Sequence, residues 1–156
     1  MRHTATQGMG ALTRAGDMQL PAFFSYYESP VKLVEATDGG ISAWRLSKDT
    51  GGWQSANKLI DKLLFSGDDN VESLTRDEFI QHTEHDRGYY LRGEGPVFAL
   101  YETVRAITDA QARERRYPTP NEIALVRGIR RKTFVMFEEQ LQSAGDPGAD
   151  PTLAEG

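Results

Sequence analysis

The sequence predicts an α+β fold: a short antiparallel three-stranded meander over residues ~20–47 packed against about four helices, the last two forming an αα-hairpin. Three observations point there. Residues 20–47 alternate along the chain with a period of two, as half-buried strands do. From Ser55 onward apolar residues recur at spacings of three and four, the helical period. Tyr117-Pro118-Thr119-Pro120 separates the last two helical patterns by so short a turn that they should pack antiparallel.

Each element has a local reason. Leu20–Tyr27 is short and rich in aromatics, which strands favour. In Val31–Thr37, Val31, Leu33 and Glu35 alternate against Lys32 and Val34. Asp38-Gly39-Gly40 is the strongest hairpin signal, because glycine accepts the positive φ of tight turns. In Ile41–Ser47, Ser42, Trp44 and Leu46 alternate against Ile41, Ala43 and Arg45. Lys48–Gly52 reads as a turn. Ser55 then caps a short amphipathic helix carrying Ala56, Leu59, Ile60, Leu63 and Leu64, and Ser66–Asn70 ends it. Thr75 with Glu78 forms a capping-box pattern for a helix from about Arg76 to Asp86.

Arg87–Gly95 reads as a loop, after which Pro96 suits a first helical position. The helix it opens carries Val97, Leu100, Tyr101, Val104, Ile107 and Thr108 on one stripe, and Arg115-Arg116 closes it favourably at the negative helix end. Thr119, Pro120 and Glu122 open a last helix that runs to about Gln142. The apolar stripes of the two long helices are expected to cover the sheet and the shorter helices.

A chain of 156 residues suggests one domain, expected over 19–142. Residues 1–18 read as a flexible leader, with no apolar segment of the secretory kind and with Met9 and Met18 as alternative starts. Residues 143–156 read as a disordered acidic tail rich in Gly and Pro. No stretch reaches the ~18 apolar residues of a membrane span.

The formal net charge of −5 disfavours a globally basic nucleic-acid binder. The charge is uneven: residues 1–100 carry −4, residues 101–143 carry +2 and residues 144–156 carry −3. An anionic partner would therefore be sought on 101–143. The chain has no Cys, which excludes disulfides, Cys-ligated metal and thiol catalysis, and its three His are His3, His82 and His85. There is no Gly-x-Ser-x-Gly motif and no apolar setting around a His, so nucleophilic catalysis has no sequence support.

Four constellations remain. Glu78, His82 and His85 share one helix face, a carboxylate and two imidazoles of the kind that ligate zinc or iron. The wheel opposes them to Phe79, Ile80 and Thr83, which makes a solvated acidic face the plainer reading. Arg92-Gly93-Glu94-Gly95 opens a helix and could meet a phosphate, but it lacks the βαβ context of a dinucleotide fingerprint. Arg127, Arg130 and Arg131 line the last helix. Arg130 falls within the apolar stripe of Ile123, Val126, Phe134, Phe137 and Leu141, so it should either pair with an acid of the N-terminal half or help form an anion or partner site. The aromatics Phe24, Tyr26 and Trp44 are candidates for a protein-binding sheet face; because Phe24 and Tyr26 alternate against Phe23 and Tyr27, either a second layer covers the outer face or aromatics are exposed there.

These residues point to a small cytoplasmic protein–protein interaction module, without catalytic activity or cofactor, whose partner is another protein or a second copy of the chain. Nucleic acid and membrane are not expected partners. A metal-dependent enzyme or small-ligand protein using Glu78, His82 and His85 is one alternative. Anion or nucleic-acid binding through Arg127, Arg130 and Arg131 is another.

Overall fold

Alternation predicts where the strands run, and the backbone follows it. The structure is a computed structural model that describes residues 18–65 and 67–155. The expected leader therefore lies outside the described residues except for Met18. Strands β1 (Ala22–Tyr26), β2 (Ser29–Glu35) and β3 (Ile41–Leu46) form the anticipated meander. Two more strands extend it, β4 (Trp53–Ser55) beside β3 and β5 (Val71–Leu74) beside β1. The sheet thus has five antiparallel strands in the order β4-β3-β2-β1-β5, not three. Segments of three and four residues are too short for a period of two to register, so β4 and β5 are missed by pattern alone.

The β2–β3 turn uses the expected glycines, with Gly39 at φ +86° and Ala36 N–H donating to Gly40 O at 2.8 Å. The β1–β2 turn is different. Its two central residues, Tyr27 and Glu28, lie at φ +48° and +64°, the left-handed pair a tight two-residue hairpin requires. Neither has the turn chemistry that marks such a hairpin in sequence, so the expected strand overruns the observed one by one residue at this turn, besides two at its start.

Strand register sorts the side chains by face. Ala22, Phe24, Tyr26, Val31, Leu33, Ile41, Ala43 and Val71 share one face. A 3-10 turn at Asn57–Leu59 and helix α1 (Ile60–Phe65) cover it with Leu59, Ile60, Leu63 and Leu64. Burial of each large apolar side chain there contributes roughly 1.5–3 kcal/mol before entropy is counted.

Phe23, Lys32, Leu46 and Trp53 occupy the opposite face. Phe79, from the first turn of helix α2 (Arg76–Tyr90), packs on it with ring centroids 4.6 Å from Phe23 and 5.7 Å from Trp53. Lys32 Nζ sits 4.5 Å from the Trp53 ring centroid, a cation–π contact for a side chain that is itself buried. Phe23 and Phe24 are therefore both buried, at 7% and 8% exposure, because the sheet is covered on both faces.

The chain divides into two compact units where the sequence suggests one domain. The first holds the sheet and α1, up to Leu46 and again over Trp53–Phe79. The second holds Ser47–Gly52 and everything from Ile80 onward. In the second unit α2 continues to Tyr90, past the expected end at Asp86. Its last carbonyls are capped, with Arg92 Nη1 donating to Tyr89 O and Arg105 Nη1 to Gly88 O.

Helices α3 (Pro96–Arg113) and α4 (Pro120–Ser143) form the expected antiparallel hairpin. Val97 and Tyr101 at the start of α3 pack with Phe137 late in α4. At the other end, Gln111 Nε2 donates to Glu122 Oε1 at 3.3 Å. Both predicted capping boxes form, Thr75 with Glu78 and Thr119 with Glu122.

Residues 144–155, expected to be a disordered tail, are instead folded against α4. Asp146 N–H donates to Leu141 O at 2.9 Å, and a 3-10 helix at Pro151–Glu155 buries Leu153 to 4% exposure. A single apolar side chain and a few backbone bonds, invisible to composition, order it. No helix among the described residues is long and apolar enough to cross a membrane.

Glu28 occupies a left-handed conformation that disfavours a Cβ by roughly 1–2 kcal/mol. Glycine removes that strain and adds about 0.5–1 kcal/mol of unfolded-state entropy against folding. Glu28→Gly is therefore expected to raise stability by about 0.5–1 kcal/mol in urea unfolding. A loss of stability would mean the turn is not left-handed.

Candidate functional site

The aromatic set does not form a surface. Phe24 is a core residue of the first unit, and Tyr26, half-buried, lies under the Arg45 guanidinium at 5.4 Å and against Tyr27. Trp44 sits on the opposite sheet face, beside Lys32. Strand alternation separates these three residues, and packing consumes the first of them.

The metal set does not assemble either. Glu78 closes its capping box by accepting from Thr75 N–H at 2.8 Å. Both imidazoles turn to Asp86 instead: His85 Nδ1 lies 3.0 Å from Oδ1, and His82 Nε2 lies 3.7 Å from Oδ2. Among the described residues no group of three His, Asp or Glu is arranged to hold a metal ion. Arg92, the candidate phosphate ligand, is occupied with the carbonyls at the end of α2.

The buried chemistry of the second unit lies elsewhere. Arg87, which the sequence places in a loop, is fully buried on α2. Its Nη1 donates to Glu84 Oε2 at 2.7 Å, its Nη2 to Glu138 Oε2 at 2.5 Å and its Nε to Gly51 O at 2.9 Å. The Tyr101 hydroxyl donates to the other Glu84 oxygen at 2.6 Å, and Asp150 N–H to the other Glu138 oxygen at 2.8 Å. The guanidinium carbon lies 4.3 Å from the Phe137 ring centroid.

One side chain thus joins α2, α3, α4, the Ser47–Gly52 turn and the C-terminal segment. Gly51 approaches closely at φ +78°, and a Cβ there would meet Leu91 and Phe137 at 2.7 Å. Burial pushes the Glu84 carboxyl above its ordinary value, against the pull of Arg87. Burial also opposes the Arg87 charge, but Glu84 and Glu138 more than offset it and hold the guanidinium protonated. The sequence signal for this cluster is Glu84 and Arg87 lying within the helical arc of Ile80 and Thr83.

For Arg130 the helical pattern allows either such a buried pair or an anion or partner site. Arg130 has no ion-pair partner among the described residues. It is half-buried, which pulls its pKa down, and Glu84 attracts it only through space. It lines a groove of about 320 Å³ with Gln81 of α2, Thr108 and Gln111 of α3, Pro118, and Glu122, Ile123, Val126 and Arg127 of α4. That volume is at the low end of the roughly 300–1,000 Å³ of ligand pockets.

The groove has polarity along its length. Arg130, Arg127 and Gln81 form one end, and Gln81 Nε2 is fixed by donating to Arg127 O at 3.1 Å. Val126, Ile123 and Pro118 form the apolar wall. At the far end Glu122 is held by Arg116 at 2.8 and 2.9 Å and by Thr119 N–H, which lowers its pKa to about 2. The structure thus brings Arg127 and Arg130 together at one groove. Arg131 does not line it.

Arg87→Met leaves two buried carboxylates without their cation and is expected to cost about 3–5 kcal/mol in chemical denaturation. Loss of less than 1 kcal/mol would show that the cluster is not closed. The Glu122 contribution has the opposite pH sense from a raised acid. Its folded pKa is depressed, so the contribution is complete above the ordinary 4.5 and is lost as pH falls from there through about 2. Glu122→Gln should flatten the stability profile between pH 4.5 and 2, read by urea unfolding across that range.

Comparison with known proteins finds no matching family model, no similar curated protein and no similar solved structure, so the functional reading rests on the geometry of this groove.

Proposed function

We propose that this chain is a cytoplasmic protein–protein interaction module, without catalytic chemistry of its own, that holds its partner at the α3–α4 groove. The carrying observation is Arg130, a half-buried guanidinium at a groove wall with no ion-pair partner among the described residues. A charge withdrawn from water costs free energy unless something compensates it, and a partner that supplies the compensation is favoured there. Arginine is also the charged residue most enriched at the energetic centres of interfaces. Exposed Ile123 at the groove rim adds apolar area of the kind such a contact covers.

The Arg87 cluster supports the same reading from the other side. Its charged groups are enclosed and mutually satisfied, which suits a rigid support for the groove rather than a reacting centre.

A photo-cross-linking residue at position 123, in the cells that make the protein, tests this. A discrete cross-linked product larger than the 17.4 kDa chain is expected, and it should weaken when Arg130→Gln is added. Equal cross-linking from exposed Gln54, on β4 of the other unit, would refute the groove as the contact site.

A further inference from the structure

The groove's chemistry narrows what can occupy it. Arg127 and Arg130 are three residues apart and so project from one side of α4. The acid among the lining residues, Glu122, is taken by Arg116, Thr119 and Gln111. The acid that attracts Arg130 through space, Glu84, has its oxygens taken by Arg87 and Tyr101. Among the described residues no acid is left to ion-pair with Arg130, so its place is open to an anion from beyond them.

A carboxylate suits this place best. Its two oxygens match the planar fork of one guanidinium, and the amide of Gln81 stands beside it. The adjoining walls of Val126, Ile123 and Pro118 offer no hydrogen-bond donors of their own. Those walls instead suit an apolar side chain next to the acid. The open groove has room for side chains inserted from a backbone that lies outside it, rather than for a whole helix.

Resting on the interaction reading above, we propose that the groove receives an acidic side chain flanked by an apolar one, presented by a segment of a partner protein. The carboxylate pairs with Arg130 and the apolar neighbour lies on Ile123 and Val126. Partial burial of Arg130 in the free protein means that part of its desolvation precedes binding, which favours a preformed site.

The test is selection of a random peptide library displayed on phage against the full chain. Enriched peptides should carry Asp or Glu beside Leu, Ile, Phe or Met. They should bind Arg130→Gln about tenfold more weakly than the parent, as loss of a charge-assisted hydrogen-bond pair implies. Arg130→Lys, which keeps the charge and loses the fork, should fall between the two. Urea unfolding of both variants should match the parent, since Arg130 makes no ion pair within the described fold. Val126→Asp supplies a second, independent loss through the apolar wall.

Peptides that enrich without an acid, or that bind Arg130→Gln as tightly as the parent, overturn the carboxylate assignment while leaving the interaction reading in place. No enrichment above a selection without protein overturns this proposal, and the cross-linking at position 123 then decides the interaction reading separately.

Discussion

The second unit depends on one enclosed guanidinium. Arg87 aims three donors at a carbonyl and two carboxylates, and each carboxylate is completed by a further donor from another part of the chain. Removing these ions from water costs several kcal/mol each, and only near-complete hydrogen bonding offsets it. That demand is geometric. It sets how closely Gly51 approaches and where the Tyr101 hydroxyl lies. It also requires the backbone at Asp150 to return to α4. The C-terminal segment is ordered because Glu138 needs a donor and Leu153 needs cover, and both needs are met in one short stretch.

The sheet unit solves a different problem. Aromatics alternate onto both faces of β1, so a sheet covered on one side would leave a Phe in water. Coverage by α1 on one face and by Phe79 on the other buries both Phe23 and Phe24. The consequence is that Phe23 and Phe24 belong to the core, one on each face of the sheet. Lys32 follows the same logic: its strand position dictates an inward side chain, and the Trp53 ring receives its charge.

Arg87 and Arg130 show why a residue type alone does not assign a role. Both lie on apolar arcs of helices in the same unit. Arg87 is closed in by acids from its own helix and from α4, and it acts as a structural centre. Arg130 is only partly enclosed, beside a groove whose acid is already committed to Arg116. Arg130 is the member of the two that has no ion-pair partner among the described residues.

Some of this was legible in the amino-acid order because it is local. Alternation over Ala22–Leu46, the Gly39 turn, the two Thr/Glu capping boxes and the Pro-bounded α3–α4 hairpin all depend on neighbours a few residues away. Local order also singled out Arg127, Arg130 and Arg131, of which the first two line the groove and the third does not. What tertiary structure alone decided depends on partners far apart along the chain. β5 exists as a strand because it pairs with β1, some fifty residues earlier, and Arg87 is buried because Glu138, 51 residues on, reaches it. A pairing of that span leaves no periodic trace in either segment. Hence neighbouring residues settled the three-strand meander, the two Thr/Glu caps and the α3–α4 hairpin, whereas the folded chain decided the two outer strands, the ordered C-terminal segment and which charges are closed in.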